Sequence, residues 1–315
     1  MRLRLVLTAL LALLPATGAL GAPSEIRIDW ATYNPISLVL RQQHLLEDAF
    51  AKDGITIRWV QSAGSNKALE FLNAGSIDFG STAGAAALIG LVNGNPIKSV
   101  YVYSQPEWTA LVTRKDTGIK TVADLAGKRI AVTRGTDPHI FLIRALAGAK
   151  LGEKDVHLVL LQHADGRLAL ARGDVDAWAG LDPMMAQAEL DDGAQLFYRD
   201  ASANSWGILN VRAAFATENP DLVRRVLVIY EQAKTWAKAH PEDLAKLLQE
   251  ATKLPPPVIA RQLERTRFPS GKIGPDTRAT IESSGLALRD AGVLPAETDV
   301  PARVGTLIDT SYFPG

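Results

Sequence analysis

Along most of the chain, short apolar runs of strand length alternate with longer stretches whose apolar residues return at helical spacing. The run Ile26 to Asp29 predicts a strand, and the segment from about Ser37 to Lys52 predicts a helix after it. Further strands are expected in "ITIRWV" (55–60), "IDFGS" (77–81), "IKSVYVYS" (97–104) and "TALVTR" (109–114), with helices from about Asn66 and across "AAALIGLV" (85–92). The pattern restarts with "KRIAV", "VHLVLL", "DAWAG" and "AQLFYRD", each separated by helical stretches, and "WGILNV" (206–211) adds one more strand. From Pro220 the pattern is helical almost throughout. "PDLVRRVLVIYEQAKTWAKAH" and "PEDLAKLLQEA" each predict one amphipathic helix, and Pro255 to Pro257 breaks the chain before two more. Alternation of this kind implies an α/β fold with mostly parallel sheets and helices on both faces.

Two segments echo each other. "LNAGSIDFGSTAG" (72–84) and "LARGDVDAWAGLD" (170–182) share a helix end, a glycine, an aromatic strand and a loop of small residues. Gly75 and Gly173 each fit the left-handed position just past a helix. Two α/β lobes of similar construction account for the echo better than one large sheet.

Four times a strand runs into a loop of small or hydroxyl residues and then a helix: "WVQSAGSNKALEFL", "DFGSTAGAAALIGL", "IAVTRGTDPHIFLI" and "AWAGLDPMMAQAEL". In the third, Thr136 or Asp137 suits the N-cap and Pro138 the first helical turn. Ligands of parallel α/β sheets sit beyond the carboxyl ends of strands, at helix N-termini, and small residues there let a ligand approach the backbone. Four such loops in two facing lobes point to a cleft that grips an anion with amide hydrogens. None has the phosphate-loop pattern or the dinucleotide glycine spacing, which disfavours a nucleotide.

The ends and the composition narrow the setting. Arg2 and Arg4, an apolar run from Leu5 to Leu14 and then small residues form the three parts of a secretory signal, too short to span a bilayer. Cleavage is expected after Gly21 or Ala22, and no later apolar run is long enough for a membrane helix, so a soluble product exported to a bacterial periplasm is expected. There is no cysteine, which excludes disulfides, a lipid-anchored N-terminal cysteine and thiol chemistry. The 34 basic and 34 acidic residues balance, so there is no basic field to draw nucleic acid.

The segments "ALEFLNAGSIDFGSTAG", "NGNPIKSVYVYS", "VADLAGKRIAVTRGTDPHIFLIRAL" and "GDVDAWAGLDPMMAQAE" resemble the periplasmic solute-binding proteins of ABC importers, in the aliphatic sulfonate, taurine and nitrate-type group. The resemblance covers essentially the whole mature chain. It implies the two-lobed type II fold, with two α/β lobes joined by two crossover strands. Lobe 1 would comprise residues 23–112 plus 212–315 and lobe 2 residues 113–211, after a signal peptide at 1–22, with the crossings near Val112 and Val211. It further implies a monomer without enzymatic activity, cofactor or metal. Such a protein carries a small organic anion to an ABC permease of the inner membrane. The chain departs from the group where it touches the pocket. Ala83-Gly84-Ala85-Ala86 replaces a usual Gly-Asp-Ala-Pro, Leu181 replaces a tryptophan before Asp182-Pro183, and Asp137 replaces an asparagine beside His139.

On this reading Gly64 and Ser65, Ser81 and Thr82, and Gly135 and Thr136 supply amides and hydroxyls to the anion. Tyr33 and Asn34 cover the ligand, and Trp108, Trp178 and Trp206 wall its apolar part, with core packing the alternative for each tryptophan. Asp137 is assigned to capping its own helix, because a carboxylate in the cleft would repel an anion, and Arg134 to solvent. His139 is a candidate because a ring lining the cleft would titrate near neutrality, and Asp182 as the acid of the Asp-Pro pair. Neither His139 nor His163 has metal-ligand spacing. The alternatives are another small anion (nitrate, taurine or an aromatic acid), an exported sensor domain, or an enzyme like those of thiamine-pyrimidine synthesis. The last uses a cysteine-rich segment that this chain lacks.

Overall fold

The structure, a computed structural model, describes residues 23–313. The signal segment expected at 1–22 lies outside them. β1 (Glu25–Trp30) is followed by α1 (Pro35–Gln42) and α2 (Leu45–Phe50). The single helix expected over 37–52 is therefore two, because His44 adopts left-handed backbone (φ 54°) and breaks the ladder between them. β2 (Thr56–Gln61), α3 (Ser65–Asn73), β3 (Phe79–Ala83), α4 (Gly84–Val92) and β4 (Ile97–Pro106) continue the alternation. β5 (Thr109–Thr113), β6 (Arg129–Val132), α5 (Asp137–Gly148), β7 (His157–Leu160), α6 (His163–Arg172), β8 (Ala177–Leu181), α7 (Met184–Leu190) and β9 (Gln195–Tyr198) come next. β10 (Gly207–Arg212) leads into α8 (Ala213–Glu218), α9 (Pro220–Ala239), α10 (Pro241–Thr252) and α11 (Pro256–Glu264). A two-residue strand, β11 (Thr266–Arg267), precedes α12 (Pro275–Asp290) and α13 (Val300–Leu307). Three helices thus follow the proline run, not two.

The strands form two sheets, one in the order β11-β4-β10-β3-β1-β2 and the other β7-β6-β8-β5-β9. Parallel pairing is confined to β1 with β2 and β3, and to β6 with β7 and β8. β10 runs antiparallel to β3 and β4, and β5 antiparallel to β8 and β9. The sheets are therefore mixed rather than mostly parallel. The chain leaves the first sheet after Pro106 and enters the second at Thr109; it returns between Tyr198 and Gly207. Val112 and Val211, the positions expected for the passages, lie inside β5 and β10. A buried strand's pattern reports its burial on both faces, not the sheet it pairs with.

Each sheet has its own core. Ile26, Ile28, Phe79, Leu209 and Val211 of the first sheet pack under α1 and α9. Leu111, Ile130, Val132 and Ala179 of the second pack under α5. The glycines expected past helix ends hold φ 65° at Gly75 and 83° at Gly173.

Candidate functional site

Where the two sheets face each other, the ends of strands and the starts of helices close on a small cavity. It is lined by Tyr33, Ser65, Trp108, Thr136, Asp137, Pro138 and Leu181, and leaves about 10 Å³ for the centre of a water molecule. Ser65 opens α3 on the first-sheet side, and Thr136 caps α5 on the second. In α3 the Ser65 and Asn66 amides are left without an acceptor in the helix, while Lys67 N donates to Gly64 O at 3.0 Å. In α5 the amide left is that of Asp137, because Pro138 has no N–H and His139 N donates to Thr136 O at 3.1 Å. Gly135 enters the turn before α5 with φ 77°, a conformation that disfavours side chains. A larger hollow of about 800 Å³ lies along α9 between Val228, Trp236 and Phe313, away from these converging termini.

The hydroxyls divide by what they already bind. Ser65 Oγ accepts the Ala83 amide at 3.0 Å, and its own hydrogen is uncommitted. Thr136 Oγ1 donates to Thr133 O at 2.6 Å, so at Thr136 the helix terminus rather than the hydroxyl hydrogen is available. Ser81 donates to Asp29 and accepts from Asn34 Nδ2 at 2.8 Å. Thr82 Oγ1 donates to Ala83 O and accepts from Asn210 Nδ2 at 2.8 Å. Ser81 and Thr82 are fully buried in the first lobe and outside the cavity lining. Beneath them, both oxygens of Asp29 take the Ser81 amide, and Ser62 Oγ donates to Oδ2. Burial pushes the Asp29 carboxyl up to about 6, against those bonds.

Tyr33 stands edge-on to Trp108, ring centres 6.0 Å apart, and its hydroxyl donates to Ser81 O. Asn34 caps α1 by accepting the Ser37 amide. Trp178 is buried in the second-sheet core with Ala110, Val112 and Met185, and Trp206 packs half-buried against Val102, Ile208 and Ile273. Neither lines the cavity, so core packing accounts for both. His139 turns away to Glu153, Nε2 to Oε1 at 2.6 Å, and burial lowers its pKa despite that carboxylate. Arg134 is mostly exposed.

Asp137 differs from its expected role. It is the first residue of α5, and its carboxylate does not cap that helix. Oδ2 accepts from Trp108 Nε1 at 2.7 Å and from the Ser205 amide at 3.0 Å, whereas Oδ1 is buried without a partner. Burial raises this carboxyl above the usual range, moderated by those donors and by Arg144. The residues on either side of "TDP", Arg134-Gly135 and His139, gave no sign of which way the carboxylate would turn.

Gly64, expected to serve the anion, also has a packing role against His163 at the start of α6. A Cβ at Gly64 would stand 2.8 Å from Asn66 Oδ1 and 3.0 Å from His163 Nε2, so only a glycine lets α6 approach the start of α3. Thr133 Oγ1 donates to Leu161 O, which leaves it to accept from His163 Nδ1 at 3.2 Å. This fixes the proton on Nδ1 and turns the Nε2 lone pair toward Gly64. Burial drives the His163 pKa down to about 3, keeping the ring neutral.

Outside the cavity the lobes are tied by charge. Arg265, just past α11, meets both Asp182 oxygens at 3.4 Å and Glu189 Oε2 at 2.5 Å, and Arg261 meets Glu189 Oε1 at 2.7 Å. Asp182 also accepts the Ala186 amide in the first turn of α7. It is therefore a lobe-closing group, its carboxyl pushed up to about 7 by burial that outweighs Arg265. Arg144 of α5 reaches Ser284 of α12 at 3.3 Å.

The sequence model of the family described as NMT1/THI5 like matches residues 48–244, more than half of the chain. The chain belongs to the NMT1/THI5-like family. This family member is 30% identical over 293 residues to an Escherichia coli (strain K12) protein named for aliphatic sulfonate binding, covering 92% of this chain and 91% of that one. It superposes on the alkanesulfonate-binding protein SsuA from Xanthomonas axonopodis pv. citri bound to MOPS with a TM-score of 0.82 and 26% identity, over 92% of this chain and 99% of that chain. Against the periplasmic aliphatic sulphonate binding protein SsuA from Escherichia coli the TM-score is 0.76 and the identity 27%, over 93% and 95% of the two chains. The fold of this NMT1/THI5-like chain is the two-lobed fold of periplasmic binding proteins.

Proposed function

We propose that this protein is the periplasmic solute-binding component of an ABC importer, and that it holds an organic sulfonate between its lobes for delivery to a membrane permease. The observation that carries this reading is the convergence of two helix starts, one from each lobe, on one closed cavity: Ser65 of α3 and Thr136 to Pro138 of α5. An oxyanion there meets orphan amides and the positive ends of two helix dipoles without a buried arginine. The Ser65 hydroxyl adds a donor, and Tyr33, Trp108 and Leu181 give the organic tail apolar walls. The sulfonate-binding names of the full-length relatives support the choice of anion.

The magnitudes agree. Micromolar binding requires about 8 kcal/mol. Hydrogen bonds to a charged group contribute roughly 1.5–3 kcal/mol each, so four or five suffice after ordering costs. Even one sulfonate group exceeds the roughly one-water space of the closed cavity, so entry requires the lobes to part. Closure over the ligand then presents both lobes to the permease, and reopening releases the solute.

The test is calorimetric titration of the mature protein with a panel of alkanesulfonates, nitrate and inorganic phosphate. Micromolar affinity for a sulfonate, with nitrate and phosphate weaker, is the expected result. Tight binding of nitrate or phosphate alone would replace the sulfonate reading.

A further inference from the structure

The proposed function requires the lobes to part and close, and one network of ion pairs is complete only when they meet. α11 belongs with the first sheet, through the strand β11 that follows it, and α7 with the second, through the strand β8 that precedes it. At the seam between the two helices Arg265 is 7% exposed and Asp182 2%. The guanidinium meets both Asp182 oxygens and Glu189, and Arg261 holds the other oxygen of Glu189. Each of these contacts crosses from one lobe to the other. The same helix end is joined to both walls of the cavity. Gln262 Nε2 donates to Thr32 O at 2.7 Å, next to Tyr33, and Asp182 adjoins Leu181; Tyr33 and Leu181 both line the cavity. The main chain of Arg265 is anchored apart from its side chain, because its carbonyl accepts the Glu107 amide at 2.8 Å. None of Asp182, Glu189, Arg261 and Arg265 lines the cavity itself.

We propose that Arg265 is a positioning residue that sets the affinity for every solute alike, by completing the closed arrangement of the lobes without touching the solute. The inference rests on the solute-binding reading and extends it to a residue outside the cavity. With the lobes apart, water hydrates the four charges. With the lobes together, Asp182 and the inner oxygen of Glu189 leave water, and Arg265 is the cation that meets both. A complete buried pair gains little over two hydrated charges, but a buried charge stripped of its partner is strongly unfavourable. Truncating Arg265 therefore penalises the closed form alone. Apparent affinity scales with the fraction of protein in the binding-competent form, so a single penalty applies to all solutes.

The experiment is calorimetry at pH 8, where the Asp182 carboxyl, with its value of about 7, is ionised. Propanesulfonate, a longer alkanesulfonate and nitrate are titrated into the wild type, Arg265→Met and the double variant Arg265→Met/Asp182→Asn. Arg265→Met should weaken every solute that binds by one common factor, at least about tenfold, and leave the ratios between solutes unchanged. The double variant keeps an oxygen for the Ala186 amide and has no unpaired carboxylate at 182, so it should recover most of that loss. A lesion that merely loosened the fold would not be repaired by a second substitution. Arg265→Lys carries the same test if circular dichroism shows Arg265→Met poorly folded. It keeps the charge but not the fork that spans two acids, and should weaken all solutes equally by a smaller factor. Wild-type affinity in the folded Arg265 variants, or a double variant no tighter than Arg265→Met, would overturn the proposal and leave the solute-binding reading intact. Weakening that differs from solute to solute would also overturn it, by placing Arg265 at the ligand. A wild type that binds none of the panel would overturn both readings.

Discussion

Two buried aspartates, one on each side of the cleft, show how differently a fold can use the same side chain. Asp29 lies in the first sheet with both oxygens engaged by donors from Ser62 and Ser81, and Ser81 is held in turn by Asn34 and Tyr33. Asp137 lies at a helix start of the second lobe with one oxygen engaged and the other free. Burial raises both carboxyls, so the shift itself does not distinguish them. The count of satisfied lone pairs does. A completed network locks a loop in place, whereas an incomplete one retains affinity for something else.

The largest expected effect tests that contrast directly. Asp29→Asn turns an amide NH₂ toward groups that themselves donate, and should cost about 3 kcal/mol of stability. Asp137→Asn puts its NH₂ at the unpartnered position and should cost no more than about 1 kcal/mol. Urea denaturation of the two variants measures both, and a larger loss for Asp137→Asn would break the contrast.

The hydroxyls sharpen it. Ser65→Ala removes the uncommitted donor of the cavity and should weaken sulfonate binding about tenfold, with little loss of fold. Thr82→Val removes a hydroxyl already satisfied by Ala83 and Asn210. It should lower stability by about 1 kcal/mol and leave calorimetric affinity unchanged. Reduced affinity in Thr82→Val with Ser65→Ala normal would mean that the anion sits against β3 instead.

Acidity tests the same contrast through stability. The folded-state pKa values of Asp29, about 6, and Asp182, about 7, lie above the ordinary carboxyl value. Between those values the folded protein holds more protons than the unfolded chain, so stability rises as pH falls from about 8 to about 5. The added stability is complete below the unfolded carboxyl pKa and is lost as pH rises through the folded one. In Asp182→Asn the upper part of that rise should disappear. A urea midpoint that falls on acidification over this window would contradict both shifts.

Much of this was legible in the chain and some was not. The order of strands and helices followed from apolar periodicity, because burial imposes it locally. The strand-loop-helix junctions at Gly64-Ser65 and Gly135-Thr136 were legible for the same reason, and Ser65 and Thr136 do meet across the cleft. The antiparallel pairing of β5 and β10 was not legible, since a strand buried on both faces reads alike in either direction. Nor was the fate of individual polar atoms. Ser81, Thr82 and Ser65 look equivalent in a loop, but Asn210 and Asp29, distant in sequence, consume the first two. The same holds for Asp137, whose partners Trp108 and Ser205 come from the two passages between sheets.

The smallest expected effect concerns His139, which stands two residues beyond Asp137 but on the other side of the contrast. Its Nε2 is bound to Glu153, outside the cavity lining, and burial lowers its pKa. His163, the other ring near the cleft, is held near 3 and stays neutral above about pH 5. A sulfonate does not titrate in that range, so between about pH 5.5 and 8 the affinity for propanesulfonate should owe little to either histidine. Among the residues lining the cavity the titrating group is Asp137: as its raised carboxyl takes up a proton on acidification, repulsion of the anion eases and binding strengthens. Asp182, outside the cavity, adds its own titration near 7 through the tie between the lobes. Titrations of His139→Gln should therefore retain the wild-type pH profile, and those of Asp137→Asn should be flatter. A profile flattened by His139→Gln instead would place that ring at the ligand and reverse the assignment.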